Sequence, residues 1–567
     1  MKKFHLTNRY AMINFDALMA TSQVSIVNSR NFTLLLKDFV KKLKEEKHDL
    51  IDRLSNVTGK QVSDLYKQLL IHDVNTAFKN VKGLSINSRK DLYLFTEELY
   101  DYWRNLTRFG FLKGSKSYSP QLKVADLLTS SSNFNESIIK LYRNIAQKLG
   151  GNQFHVFRNL PAGTNTNVLY IRHEFTNNET YSNIQNIPFV TKISTSPPFI
   201  INSKSNTRTG LFTEIDENPL PKLSINKSHY FAFPIKVGPL TAFVYIHRDF
   251  MHQGIALANL FQFADYNKFR HEKPDLVFVY GIRENEYDCK YFVDEDEDML
   301  VGFVSRSDKN DYFGYLKKML LTLHNVKMIK DNKLPIHGAM VQIKLNNNKI
   351  KNVVVMGDSG AGKSETLEAL RVIGKDQIKK MDIVFDDMGT FKLDNKNKII
   401  SNGTETGAFI RLDDLDSGYA FEIMDRSMFL NPTQVNARVV VPISSYDFIM
   451  TDHPVDLLLY ANNYDADKSG LNIFNNKEDA LEIFKRGRRK AKGTTSEVGI
   501  VESYFANPFG PVQLKNDTEK LLDLYFTNLY DNNIPVGELY TKLAVSGMET
   551  KGPQEAAQLL LDYLLSK

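Results

Sequence analysis

The period of the hydrophobic positions changes along the chain. In the first 150 or so residues, Phe32, Leu35, Leu36, Phe39 and Leu43 recur at the spacing of one helix face, as do Val62, Leu65 and Leu69. A further helix is predicted over 91–106, and polar joints such as Ser130, Ser131 and Ser132 separate the segments. From about 151 to 330 the apolar runs shorten. Those at 168–171, 231–235, 242–246 and 276–280 alternate with Asn-, Ser- and Pro-rich joints, which predicts a mixed sheet domain. Beyond 331 strands and helices alternate. Residues 352–356 read as a buried strand, Leu367, Leu370 and Ile373 as a helix face, and 382–385, 439–443 and 455–460 as further strands. Residues 516–567 look helical. The expectation is an α/β protein in three segments, 1–150, 151–330 and 331–567. These are a mostly helical extension, a mixed α/β domain and a phosphate-binding domain.

Composition agrees with that division. A chain of 567 residues exceeds what one core organises, so about two to four domains are expected. With 42% hydrophobic and 24% charged residues it reads as globular. No apolar run approaches the roughly 18 residues of a membrane helix, and the start lacks the apolar core of a secretory signal. Cys289 is the only cysteine, which excludes an internal disulfide or a cysteine-built metal site and suits a cytoplasmic protein. The net charge of +6 is too diffuse to argue for nucleic acid. One dense basic run stands out, Lys485, Arg486, Arg488, Arg489, Lys490 and Lys492. The acidic run 294–298 reads as a solvated loop.

Residues Gly357, Asp358, Ser359, Gly360, Ala361, Gly362, Lys363 and Ser364 fit G-x-x-x-x-G-K-[ST] in full, between an expected strand and an expected helix. The glycines let backbone N–H groups converge on one anion at a helix N-terminus. Lys363 would meet the β- and γ-phosphates, and Ser364 would offer its hydroxyl to Mg²⁺. Phosphoryl transfer also needs a carboxylate to hold the cation, and Asp386 and Asp387 end an apolar run downstream. His337 and the pair Lys317 and Lys318 carry no chemistry by spacing alone.

Taken in order, these segments resemble the ATP-dependent phosphoenolpyruvate carboxykinases and their smaller relatives, the HPr kinase/phosphorylases. Residues 312–319 (YFGYLKKM) are similar to Y-G-G-E-M-K-K-G, and 337–341 (HGAMV) to H-C-S-A-N-V. The P-loop and 385–389 (FDDMG) stand where the family has its own P-loop and D-D-E-x-G-W. Residues 403–411 (GTETGAFIR) resemble E-G-G-C-Y-A-K, and 436–443 (NARVVVPI) resemble N-T-R-V-S-Y-P-I. Residues 493–502 with 505–510 (FANPFG) resemble the family's lid region. The likeness spans about 310 to 512.

The resemblance implies a carboxykinase-like fold and the conversion of oxaloacetate and ATP to phosphoenolpyruvate, CO2 and ADP in gluconeogenesis. It implies Mn²⁺ on Lys318, His337 and one of Asp386 and Asp387, with Mg²⁺ on Ser364 beside ATP. Tyr312 and Arg438 would hold oxaloacetate, and an enolate formed by decarboxylation would attack the γ-phosphate. Arg411 takes the place of a phosphate-contacting lysine. The basic run would precede a lid over the triphosphate. The family's substrate-gripping T-G-R-S-P-K-D-K segment has no counterpart, and Arg172 or Arg208 are the candidates to replace it. Glu365 and the His337–Gly338 pair are closer to HPr kinase, which implies an alternative acceptor, a protein or small-molecule hydroxyl. A third reading is a nucleotide-sensing module whose N-terminal helices bind a protein partner. Neither nucleic acid nor membrane is expected as a partner.

Overall fold

Strand pairing, more than local periodicity, sets the limits of each part of this fold. The computed structural model describes residues 3–17, 22–114, 120–151, 160–176, 178–207, 210–412, 423–468, 470–491 and 499–566. The protein is mixed α/β with several mixed sheets. It packs as two units, Met1–Arg172 with Val190–Phe199, and His173–Phe189 with Ile200–Lys567. Periodicity suggested joints near 150 and 330. In the structure the strand Thr166–Arg172 pairs in parallel with Thr107–Lys113, which carries the first unit past 150. At 330 the helix Phe313–Lys330 packs against both Met299–Ser305 and Leu334–Leu345, so one helix serves the sheets on either side.

The first unit is mainly helical. Helices Arg30–Glu45 and Gly59–Ile71 bury the stripes read from the sequence, and Arg89–Asn105 and Pro120–Gly150 join the same core. Ser29 and Thr58 accept from the backbone N–H three residues on and so fix two of the helix starts. Short strands were not anticipated here. Tyr10–Asn14 lies parallel to Thr107–Lys113, and Phe4–Leu6 is antiparallel to Tyr10–Asn14.

The second unit holds two large sheets. In one, the hairpin Tyr230–Val237 and Leu240–His247 continues in parallel through Leu276–Ile282 and Met299–Ser305. In the other, the long strand Leu334–Leu345 pairs antiparallel with Ile350–Met356, Ile378–Phe385 and Met388–Leu393. Ile350–Met356 then continues in parallel through Leu457–Asn462 and Val536–Tyr540. Helices Lys363–Ile373 and Lys551–Ser566 cover one face of this sheet, and Lys477–Arg486 and Lys515–Asp531 cover the other. The C-terminal stretch is thus not purely helical, because Val536–Tyr540 is a buried strand inside it. The helix Phe313–Lys330 is buried over Phe313–Ile329 on every face, polar residues included. Among the described residues no helix is long and apolar enough to cross a membrane.

Candidate active site

The phosphate loop joins Ile350–Met356 to the helix Lys363–Ile373. Gly360 and Gly362 adopt positive φ, +80° and +90°. At Gly362 a Cβ would also lie 2.5 Å from Thr541 Oγ1, so both the backbone and the space require glycine. The loop is pinned from the neighbouring strand ends. Asn463 Nδ2 donates to Gly360 O at 2.8 Å, and Thr541 Oγ1 donates to Ala361 O at 2.7 Å. Lys363 is buried, and its ammonium caps Asp358 O at 3.1 Å. Asp358 points inward and accepts from Arg489 Nε at 2.9 Å. Burial pushes its carboxyl up, but the adjacent imidazole and guanidinium hold it at about 2.

The two adjacent aspartates have different partners. Phe385 closes one antiparallel pairing with Leu334–Leu345 and Met388 opens the next, opposite Met340 and His337. Asp386 and Asp387 lie between these pairings, and successive side chains along an extended chain point to opposite sides. Asp386 accepts from Ser364 Oγ at 3.0 Å, on the side of the P-loop motif. Asp387 turns to Lys318 and His337. Lys318 Nζ donates to its two carboxylate oxygens at 2.8 and 2.7 Å, and His337 Nε2 stands 3.0 Å from Oδ1. Backbone bonds hold His337 between the two centres: Gly357 N donates to His337 O and Gly338 N to Asp387 O, both at 3.1 Å.

Charge in this pocket is concentrated and largely dry. Lys317 bridges Asp387 at 2.7 Å and Glu405 at 2.9 Å. Burial alone would raise Asp387, yet the two ammonium groups hold it well below the usual carboxylate range. Burial raises Asp386 to about 6, against the hydrogen bond from Ser364, and raises Glu405 to about 7, against Lys317. Burial and the nearby Lys318 also lower His337. Its Nδ1 lies 2.6 Å from the carbonyl of Ala506, which can only accept, so Nδ1 carries the proton and Nε2 presents a lone pair.

No protein-family model matches this chain, and no curated protein is found similar to it. What the site can do therefore rests on its own geometry. Among the described residues no three His, Cys, Asp or Glu side chains gather around a metal-sized gap. The set found here includes a lysine. Lys318 Nζ, His337 Nε2 and Asp387 Oδ1 stand 2.8, 3.0 and 3.4 Å apart. Donors about 2.1 Å from one octahedral cation are separated by about 3 Å, so these three can share one face of such a shell. The lone pair of His337 and a carboxylate oxygen at 3.0 Å repel each other unless a positive charge joins them. The Lys318 ammonium now does so, and on losing its proton it would become a ligand. The residues fit a divalent cation at this position, and Ser364 with Asp386 would suit a second one were a phosphate held in the loop.

The remaining expected residues flank this centre. The Phe409 ring has Lys317 Nζ at 5.6 Å from its centroid, the Arg438 guanidinium at 5.4 Å and the Tyr312 ring at 6.4 Å. Arg411 faces Arg438 across the pairing of Gly407–Arg411 with Arg438–Pro442. Arg172 lies in the other unit, at an exposed strand end. Arg208, Lys492 and residues 493–498 lie outside the described residues.

Several residues of this site were not singled out from the sequence. Lys317 looks like half of a solvated pair, but it is buried, as is Lys318, which only the resemblance had marked. Glu405, Phe509 under Lys318, and the carbonyl of Ala506 were also missed; all lie within the segments that carry the family likeness. The basic run is not one solvated patch. Lys485 pairs with Glu519 and Arg486 with Glu502, while Arg489 on the strand Arg488–Lys490 turns inward to Asp358. The acidic run is also divided: Asp294 is buried and accepts from Tyr181 Oη at 2.5 Å.

Proposed function

We propose that this chain is a phosphoenolpyruvate carboxykinase-like enzyme that uses ATP to convert oxaloacetate to phosphoenolpyruvate, CO2 and ADP, in the cytoplasm and in the gluconeogenic direction. The reading includes a carboxykinase-like P-loop fold for the second unit. Its main support is the division between Asp386, on the nucleotide side with Ser364, and Asp387, on the other side with Lys318 and His337. Decarboxylation followed by phosphoryl transfer has a use for both centres, one at the phosphates and one at the enolate oxygen. Divalent cations, Mg²⁺ and Mn²⁺, held at the two centres would supply Lewis-acid stabilisation to phosphate oxygens and to an enolate oxygen.

The chain's own residues account for the rest. Lys363 and the loop amides receive the triphosphate. Tyr312 and Arg438 offer a hydroxyl and a forked guanidinium to a dicarboxylate. Burial of Lys317, Lys318 and His337 keeps water from a reactive carbanion equivalent. The test is a coupled assay with oxaloacetate, ATP, Mg²⁺ and Mn²⁺. Phosphoenolpyruvate should form, and Lys363→Ala should reduce it by at least about a hundredfold. ATP binding without phosphoenolpyruvate would refute the reading.

One observation favours a second reading. Asp386, raised to about 6, has the basicity of a general base for an alcohol, as in an HPr-kinase-like transfer to a protein or small-molecule hydroxyl. Radiolabel from the γ-phosphate appearing on such an acceptor, with none on phosphoenolpyruvate, would establish it.

A further inference from the structure

The first unit contains an apolar cavity of about 450 Å³ that no step of the proposed reaction uses. This lies within the roughly 300–1,000 Å³ of ordinary small-molecule sites. Its walls come from the helices and from the strands Phe4–Leu6 and Tyr10–Asn14. The polar tips on those walls are already engaged. Tyr66 Oη bonds Thr96 Oγ1 at 2.7 Å, Tyr100 Oη donates to Leu160 O at 2.9 Å, Trp103 Nε1 to Ala162 O at 2.6 Å and Tyr142 Oη to Glu97 at 2.7 Å. What faces the cavity is therefore ring face and aliphatic carbon, which suits a hydrocarbon and offers little to a polar guest.

The mouth has the opposite character. Lys3 and Arg30 are both exposed and both line the cavity, as do Ser29 and Asn31 at the start of the 16-residue helix Arg30–Glu45. Among the described residues no acidic side chain lines it. Two exposed cations and a helix N-terminus thus border an otherwise apolar cavity, a pairing complementary to an anionic head on an apolar body.

We propose that this cavity binds a long-chain carboxylate, with the hydrocarbon among Leu99, Trp103, Ile138 and Leu141 and the carboxylate at Lys3 and Arg30. The inference does not depend on the carboxykinase reading, since neither its residues nor its readout involve ATP or oxaloacetate.

Trp103 is the chain's single tryptophan and lines the cavity, so intrinsic fluorescence of the full chain reports directly on occupancy. Titration with oleate below its micellar concentration should give a saturable change at one equivalent per chain. The surface double variant Lys3→Ala/Arg30→Ala should weaken oleate by about tenfold or more and leave oleyl alcohol unaffected. Leu141→Phe, confirmed as folded by circular dichroism, should weaken oleate binding by narrowing the chamber. Any of four results would overturn the proposal: no saturable change, undiminished oleate affinity in the double variant, oleyl alcohol binding as tightly as oleate, or oleoyl-coenzyme A binding more tightly than oleate.

Discussion

Replacing Asp387 by asparagine keeps the side chain's shape and removes its charge, which isolates the electrostatics of the buried cluster. In the native protein this carboxylate faces Lys318 at 2.8 and 2.7 Å, Lys317 at 2.7 Å and His337 at 3.0 Å. Without it Lys317 keeps Glu405 at 2.9 Å, and Lys318 loses both of its carboxylate contacts. Removing one partner of a buried ion pair costs about 3–5 kcal/mol. Two pairs fail here, but Asp387 keeps 19% of its side chain exposed, so water takes up part of the loss. The lower end, about 3 kcal/mol, is the expectation. Urea unfolding followed by circular dichroism should then lose about 1 M from its midpoint. Adding Lys318→Met should recover a good part of the loss, because an apolar side chain leaves no unpaired charge. The sign of the pH dependence is also fixed. A carboxylate held below its unfolded value contributes stability above about pH 4 that is lost as pH falls through the lowered value. The gap between native protein and Asp387→Asn should therefore close in acid. An unchanged urea midpoint at neutral pH, or a double variant worse than the sum of the single ones, would refute the reasoning.

The other titrating groups lead to related expectations. Asp386, at about 6, must ionise before it can help Ser364 hold a cation, so kcat/KM for ATP should rise through pH 6; a flat profile from pH 5 to 7 would contradict this. Glu405 has its value raised from 4.5 to about 7, so its bound proton favours the folded state at low pH and that contribution fades as pH rises between those values. Glu405→Gln, which mimics the protonated form, should flatten that part of the stability profile, as thermal unfolding across the range would reveal.

Local sequence determined a good deal about this protein. The P-loop is legible because its demands are met by near neighbours along the chain: glycines where φ must be positive, a lysine and a serine at the helix start, a strand before and a helix after. The N-terminal stripes at 32–43 and 62–69 are legible for a similar reason, since a helix face is defined by residues three and four apart. The resemblance groups Lys318 and His337 with one of the two aspartates, and Lys318, His337 and Asp387 stand within 3.4 Å of one another.

Tertiary structure decided what each of those groups touches. Nothing in the Asp386–Asp387 pair tells one aspartate from the other. Their roles follow from the break between two antiparallel pairings, which turns one toward Ser364 and the other toward a lysine 69 residues away. Lys317 and Lys318 look solvated because the helix that carries them has no polar face to reveal its burial, and Arg489 looks solvated because its partner Asp358 is 131 residues distant. The strand Val536–Tyr540 was missed because five buried residues between two helices carry no period of their own. Periodicity records neighbours along the chain. Whether a charge is dry, paired or shifted depends on neighbours in space, and only the folded sheets bring those together.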